Sequence, residues 1–411
     1  MAFRSLPSAG PVLARETHRA RNATMLAVSS LTIMSGAAIA ASLPSIEANF
    51  QDTPNVELLS RFVLTLSAIF IAGFSPVAGF LIDQFGRKPL LILALATFGL
   101  AGSSGLFAET LPGLLIGRAV LGIAVGGIMT SVTALVGDYF TGAARDRYMG
   151  LQQAFVGLGG TLFLTGGGLL AEIHWRMPFL VYALAFLLLP AALFFLTEPA
   201  RASAAQRTLE ARPLDRRTTI LLGLLLVGAI FNMVVFYMIP TQLPFFLKSM
   251  GISSPSLAGG AIGLGQGVGV VSALLFARVR QRLGVMGVFA LAFGSIGSAF
   301  VLLSFADSYP GVLMALAISG IGMGTVMPNF AGAVMLLAPP QIRGRISGLL
   351  VSSIFLGQFV SPLISQPVIG AAGFSAAWGL AGLAALAVAF GSLAVRVGMP
   401  VLAHVRPGDQ S

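Results

Sequence analysis

The sequence predicts an all-α membrane protein with twelve transmembrane helices, arranged as two similar six-helix bundles. Of the 411 residues, 56% are hydrophobic and only 9% are charged, whereas a soluble domain carries about 25% charged residues on a surface that faces water. The hydrophobic residues form stretches of about twenty or more, the length that crosses a bilayer core about 30 Å thick. The two halves of the chain also repeat one pattern of motifs.

The predicted spans are joined mostly by short connections, which suits antiparallel neighbours. They lie at 22–46, 58–82, 89–107, 111–137, 149–171, 177–196, 218–246, 254–277, 285–305, 311–336, 346–369 and 374–397. We therefore divide the chain into an N-terminal tail (1–21), an N-terminal bundle (22–196), a polar linker (197–217), a C-terminal bundle (218–397) and a C-terminal tail (398–411).

The repeat relates the two halves at one constant offset. Leu111–Gly113 aligns with Tyr309–Gly311, and at the same spacing Arg145 aligns with Arg343. Two similar six-helix halves place a substrate path at their interface, near the middle of the bilayer.

Lys and Arg concentrate on one side of the predicted membrane. With a cytoplasmic N-terminus, the tails, the linker and the even-numbered loops hold 20 of the 24 Lys and Arg residues, as expected for cytoplasmic segments. The opposite side is acidic, with Glu47, Asp52, Glu57, Glu109, Glu172 and Asp307. We expect both termini in the cytoplasm and the lipid bilayer as a partner. This distribution explains the net charge of +10 without nucleic acid as a partner.

The composition disfavours an enzyme. The chain has no cysteine, and its histidines, His18, His174 and His404, lie far apart. We find no metal-ligand spacing and no phosphate-binding loop of a primary pump. We therefore predict no catalytic residue, no metal and no cofactor. A non-transporting receptor is the alternative from a different class, and the short linker and the lack of an appended soluble domain disfavour it.

The loop after the second span reads Gly79-Phe80-Leu81-Ile82-Asp83-Gln84-Phe85-Gly86-Arg87-Lys88. It resembles the signature loop of the major facilitator superfamily, and the paired six-helix halves and the basic linker extend the resemblance over essentially the whole chain. The resemblance implies transport by rocking-bundle alternating access. It also implies that conformational gating depends on Gly79, Asp83, Gly86, Arg87, Lys88 and Asp138.

Within this resemblance, Asp83 would face the N-terminus of span 11, where the helix dipole favours an anion, and Arg87 would reach Asp138. The corresponding loop of the second half has Gln281 in place of the aspartate. We therefore expect the gate on one half only. A generic cationic anchor at the membrane surface is the alternative interpretation of the loop.

Span 4 contains Arg118 in a stretch, Leu114–Gly122, that resembles the arginine motif of proton-coupled members. Arg118 lies about 10 Å inside its helix, and a buried guanidinium costs several kcal/mol unless it is paired. We expect helix carbonyls, Gln153, water or an anionic substrate as partners, with a purely structural arginine as the alternative.

Span 5 resembles the drug:proton antiporter motif through Gly150, Gly159 and Gly167-Gly168, but Phe163-Leu164 replaces its central Gly-Pro. No carboxylate lies clearly in the middle of a predicted span. The identity of the coupling ion therefore stays open, with protons as the expectation from the resemblance.

Polar side chains within spans usually face the interior of the bundle. The predicted substrate-binding residues are Met34, Arg118, Gln153, Asn232, Tyr237, Gln242, Gln266, Asn329 and Gln358. Any one of them can instead form a helix–helix hydrogen bond worth about 0.6 kcal/mol. Together with 30 Phe and 15 Met, they indicate a large, apolar and adaptable cavity.

These features favour a secondary-active exporter of amphipathic small organic molecules, of the multidrug efflux type, working by proton antiport. The resemblance to the superfamily implies a monomer. The alternative is a dedicated transporter of one metabolite, such as a siderophore, a sugar or an amino-acid derivative, acting as a facilitator or a symporter. Short loops and an excess of Arg over Lys favour a bacterial inner (plasma) membrane.

Overall fold

A computed structural model describes residues 11–199, 215–339 and 342–398. Most of the predicted linker and C-terminal tail, and residues 1–10 of the N-terminal tail, lie outside these ranges. The described part is built from α-helices joined by short connections and 3₁₀ turns.

The N-terminal half contains seven helices, two of which form the first span. These are α1 (Pro11–Ala37), α2 (Leu43–Asn49), α3 (Val56–Phe85), α4 (Arg87–Ser103), α5 (Leu111–Tyr139), α6 (Gly142–Ile173) and α7 (Leu184–Phe195). A 3₁₀ turn at Ala40–Ser42 separates α1 from α2, and another at Met177–Ala183 leads into α7. Helix α1 begins at Pro11, so the last part of the predicted N-terminal tail is helical.

The C-terminal half contains α8 (Arg216–Ser249), α9 (Pro255–Ser304), α10 (Tyr309–Leu337) and α11 (Arg343–Gly398). Gly284 breaks α9 with φ 69° and ψ −177°, and Gly373 breaks α11 with φ 81° and ψ 174°. Glycine adopts these angles without a steric penalty. Each of the two helices therefore consists of two arms that turn back on one another.

Ten helical stretches of the described residues are long and apolar enough to cross a membrane. Divided at Gly284 and Gly373, they correspond to the twelve predicted spans, in two bundles of six. The molecule is therefore a multi-pass membrane protein, as the hydropathy of the sequence predicts.

The surface and the interior of the bundles are both apolar, as expected for a protein solvated by lipid. Trp378, Phe179 and Phe300 are completely buried between helices, whereas Leu100 and Phe390 are more than two-thirds exposed on the outside. Lipid chains can cover such exposed side chains, so only the helix contacts and the few polar side chains distinguish the interior from the outer surface.

The first turn of α8 is capped by Asp215, whose carboxylate accepts a hydrogen bond of 3.1 Å from the backbone N–H of Thr218. Hydrogen bonds from the side chain and backbone of Thr218 keep the pKa of Asp215 below its usual value. The C-terminal half therefore begins with a fixed helix end directly after the predicted linker.

Candidate functional site

The helices run alternately between two ends of the molecule. We call the end that holds Arg87 and Lys88 the basic end, and the opposite end, which holds Glu47 and Glu57, the acidic end. The site predicted from the sequence has parts at both ends and in the region between them.

At the basic end, Arg87 and Asp138 form an ion pair. The Nε atom of Arg87 lies 2.5 Å from Oδ2 of Asp138, in the last turn of α5. Arg87 is the first residue of α4, so this pair joins two helices of the N-terminal bundle. The contact implied by the sequence resemblance is present, and its part in gating stays a prediction.

Glu198 lies in the same cluster and was not predicted as a site residue. Its two carboxylate oxygens accept hydrogen bonds from the backbone N–H groups of Arg87 (2.8 Å) and Lys88 (2.7 Å). A carboxylate at a helix N-terminus satisfies free N–H groups and complements the helix dipole. The chain segment after α7 thus caps α4.

Gly86 is required at this position for two reasons. Its φ of 99° is unfavourable for other residues, and a Cβ atom here would lie 2.7 Å from a carboxylate oxygen of Glu198. The Lys88 ammonium donates a 2.7 Å hydrogen bond to the carbonyl oxygen of Leu193. The signature loop is therefore fixed against the end of α7.

The other two predicted gating residues lie on α3. Asp83 is exposed in the last turn of the helix. A Cβ atom on Gly79 would have no neighbouring atom of the described structure within 4 Å. Within the described residues, Gly79 therefore makes no close helix contact in this conformation.

Between the two ends, Arg118 is almost completely buried, with 1% of its surface exposed. Its Nη1 donates a 3.0 Å hydrogen bond to the Tyr182 hydroxyl, which lies 3.1 Å from the carbonyl oxygens of both Met34 and Ser35. In the described structure, Nε and Nη2 of Arg118 have no hydrogen-bond partner. The guanidinium thus retains donors for a ligand or water.

Tyr182 was missed because it lies in an apolar stretch without a polar neighbour in sequence. The Gln153 side chain, an expected partner of Arg118, lies outside the described residues. Across the bundle interface, the Tyr237 hydroxyl lies 3.0 Å from where a Cβ atom of Gly36 would be. Arg118 and Tyr237 therefore both lie beside the acidic-end part of α1, Arg118 through Tyr182.

Three predicted binding residues of the C-terminal half lie near the middle of their helices. Asn232 is buried, and both polar atoms of its side chain lack partners within the described residues. The amide of Gln358 lies 3.9 Å from the sulfur of Met233, the next residue along α8. Gln266 lines a cavity of 20 Å³ between α8, α9 and α10, which offers space for about one water molecule.

Asn329 does not lie with these three residues. Its side-chain nitrogen donates a 3.0 Å hydrogen bond to the carbonyl oxygen of Val285. Val285 is next to the break at Gly284. In this conformation Asn329 holds α10 against the second arm of α9, which is the helix–helix role weighed above as the alternative.

Gln242 lies at the acidic end, in a polar network that joins the two bundles. Its side-chain oxygen accepts a 3.3 Å hydrogen bond from Nε of Arg61 on α3. Its amide nitrogen donates a 3.0 Å hydrogen bond to Ser365 on α11. Arg61 also forms an ion pair with Glu47. We refer to Glu47, Glu57, Arg61, Gln242 and Gln366 as the acidic-end cluster.

A second contact between the bundles lies at the same end. The Glu172 carboxylate at the end of α6 accepts hydrogen bonds from the hydroxyls of Ser254 and Ser256 at the start of α9. Beside it, a Cβ atom on Gly168 would lie 2.7 Å from the carbonyl oxygen of Pro255. Close backbone contact through glycine is typical of helix pairs in membranes.

These two sets of contacts between the bundles lie at the acidic end, while the cluster around Arg87 lies within the N-terminal bundle. A stacked pair, Phe62 on α3 and Phe359 on α11, adds to the contacts between bundles, with ring centroids 5.4 Å apart. The molecule is held closed at its acidic end by side chains from both bundles.

Comparison with known proteins agrees with this architecture. A family model described as the Major Facilitator Superfamily matches residues 25–362. The chain belongs to the major facilitator superfamily. It is therefore a membrane transporter, as the signature loop and the internal repeat indicate.

Two relatives of this member of the superfamily are resistance proteins. It is 39% identical over 132 residues to multidrug resistance protein 1 of Bacillus subtilis (strain 168), a match that spans 31% of this chain and only 33% of that protein. It is 26% identical over 349 residues to the class H tetracycline resistance protein of Pasteurella multocida, covering 78% of this chain and 82% of the relative.

Among solved structures, a mutant of the peptide transporter POT in complex with sulfate superposes with a TM-score of 0.76. The match covers 93% of this chain and 94% of that one, at 14% identity. Similarity at this identity shows that the two proteins share the major facilitator fold.

Proposed function

We propose that this transporter exports amphipathic small organic molecules by proton antiport, through rocking of the bundles at 22–196 and 218–397. The observation that supports this best is the interface itself, because both bundles contribute side chains to the closed acidic end. The buried Arg118 and, from the other bundle, Tyr237 also lie beside one helix, α1. Closure at one end of such an interface is one half of an alternating-access cycle. The names of the two resistance-protein relatives support efflux.

The proposed orientation places both termini in the cytoplasm, with the acidic end outside, because Lys and Arg collect on the cytoplasmic side of membrane proteins. In this orientation the present conformation is closed on its outer side. The proposed setting is a bacterial inner membrane, with the protein acting as a monomer.

The proposed substrate class follows from what lies between the bundles. We expect Met34, Tyr237 and Gln358 to contribute to an apolar, adaptable substrate site with few polar groups, which suits drug-like compounds better than sugars, whose hydroxyls each need a partner. The free donors of Arg118 favour substrates that also bear a hydrogen-bond acceptor or an anionic group. A dedicated carrier of one such metabolite is the second candidate.

The test is transport in liposomes that contain an internal pH dye. Lipophilic cations, organic acids and sugars are added one at a time under an imposed proton gradient. Antiport predicts that amphipathic compounds drive proton movement in the opposite direction and that sugars do not. Movement of radiolabelled compounds without any proton flux would contradict antiport, and a response to a single metabolite would favour the dedicated carrier.

A further inference from the structure

The acidic-end cluster contains the side chains that a proton-binding site needs, although no carboxylate lies in the middle of the membrane. We infer that Glu47 binds a proton during the transport cycle, and that its protonation releases the contacts that hold the acidic end closed. This inference rests on the proposed function, because protons from the acidic side then control the opening step of the proposed transporter.

Arg61 is the centre of the cluster. It lies one turn inside the acidic end of α3, and only 3% of its surface is exposed. Its guanidinium forms an ion pair with Glu47, donates to Gln242 across the bundle interface, and lies 3.7 Å from the ring centroid of Phe245. A buried cation of this kind is stable only while its partners remain in place.

A second link ties the other carboxylate to the opposite bundle. The amide nitrogen of Gln366 on α11 donates a 2.9 Å hydrogen bond to Glu57. The backbone carbonyl of Glu57 also accepts a hydrogen bond from Arg61. The charged groups of α2 and α3 are therefore held to α8 and α11 through two glutamines, Gln242 and Gln366.

The charge balance of the cluster leaves room for one proton. Among the described residues it contains Glu47 from α2, and Glu57 and Arg61 from α3, while the contacts from α8 and α11 come from the uncharged Gln242, Phe245, Ser365 and Gln366. Two carboxylates and one guanidinium give a net charge of −1. A single bound proton makes the cluster neutral.

Protons can reach the cluster from the acidic end. The side chain of Glu47 is 24% exposed while that of Arg61 is 4% exposed, so the carboxylate faces solvent and the cation faces the interface. Once Glu47 is protonated, Glu57 is the remaining anion for Arg61. When the Arg61 side chain rotates toward Glu57, its Nε moves away from Gln242. The guanidinium then also competes with Gln366 for the Glu57 carboxylate, so both links between the bundles weaken.

The reporter for this opening is a single cysteine in place of Ser42. The natural chain contains no cysteine, and Ser42, in the 3₁₀ turn between α1 and α2, is completely buried. In nanodiscs, a maleimide reagent reaches both faces of the protein at one uniform pH. We divide its rate of reaction with Ser42→Cys by its rate with the exposed control Gln51→Cys at the same pH. In this normalised rate the pH dependence of the thiol itself cancels.

We expect this normalised rate to rise about twofold between pH 8 and pH 4.5, because the proton binds more tightly to the open state and a glutamate freed from its ion pair is about half protonated near pH 4.5. Glu47→Gln mimics the protonated carboxylate, so it should keep the rate high at both pH values. Glu47→Asp should restore the pH dependence, and Glu109→Gln, at an exposed acid of the same end, should leave it unchanged. Size-exclusion profiles identify variants that do not fold.

A normalised rate that does not change with pH in the Ser42→Cys protein would overturn the inference. So would a folded Glu47→Gln variant that keeps the full pH dependence. Proton flux in liposomes tests antiport separately, since the labelling experiment needs no substrate. Failure of that flux with pH-dependent labelling would therefore count against the proposed function, and the reverse result would count against Glu47 alone.

Discussion

Arg118 is the residue on which substrate binding is most sharply tested. We expect Arg118→Ala to reduce transport about tenfold or more, because hydrogen bonds to a charged group contribute about 1.5–3 kcal/mol each. The measurement is initial transport rate per inserted molecule. Arg176→Ala is the control, since Arg176 lies at the acidic end, where it donates to the carbonyl of Ala108 and lies over the ring of Trp175. Equal losses in both variants would show that Arg118 is merely structural.

Tyr182 should affect stability and substrate binding through its contact with Arg118. Tyr182→Phe removes the hydroxyl that accepts a hydrogen bond from the guanidinium, and leaving a buried donor unpaired costs about 1–3 kcal/mol. We expect a lower thermal unfolding temperature together with weaker substrate binding. Phe98→Leu, which alters the neighbouring ring packing without a polar change, is the control. Unchanged binding in Tyr182→Phe would exclude this arrangement of Arg118 from the substrate site.

At the basic end, Asp83→Asn should abolish transport while membrane insertion stays normal. The resemblance to the superfamily implies that Asp83 needs its negative charge. Asparagine has nearly the same size as aspartate but carries no charge. Asp138→Asn should cause a partial loss, because it weakens the ion pair with Arg87. Transport rates at equal expression provide the measurement, and normal transport by Asp83→Asn would remove the gating role.

At the scale of helices, the contact of α6 with α9 leads to a prediction for two nearby glycines of α6. Gly168→Ala should slow transport and lower stability by about 1–3 kcal/mol, the usual cost of overpacking, because its Cβ would lie 2.7 Å from the carbonyl of Pro255. Gly166→Ala, two residues away with no atom of the described structure near its Cβ position, should be neutral or slightly stabilising. Equal behaviour of the two variants would contradict the contact.

The N-terminus of α4 gives another test at this scale. Glu198→Ala should destabilise the N-terminal bundle by about 0.5–2 kcal/mol, the range observed for loss of a helix cap. Glu198→Gln should cost less, because its side-chain oxygen can still accept one of the two backbone hydrogen bonds. Thermal unfolding in detergent distinguishes the variants, and identical unfolding of wild type and Glu198→Ala would show that the cap contributes nothing.

For the whole molecule, hydropathy and the internal repeat were sufficient to predict twelve spans in two bundles, because lipid imposes one length and one polarity on every crossing. The pair Arg87 and Asp138 could also be predicted, since a known motif contains it. Arg61 belongs to no such motif, so its contacts could not be predicted. Its partner Gln242 lies 181 positions later, and no local pattern indicates that the two residues meet. Glu198 was assigned to a solvated linker for the same reason.

The central claim is that the two ends of the bundle interface open in alternation. Spin labels on introduced cysteines test it directly, with Gln51 and Lys248 as the exposed pair at the acidic end and Phe85 and Leu349 as the exposed pair at the basic end. The distance between the two labels of each pair is measured by double electron–electron resonance, first at high pH and again at low pH with a transported compound. We predict that the acidic-end distance lengthens while the basic-end distance shortens. Distances that stay fixed, or that change in the same direction, in a protein that still transports would contradict the account.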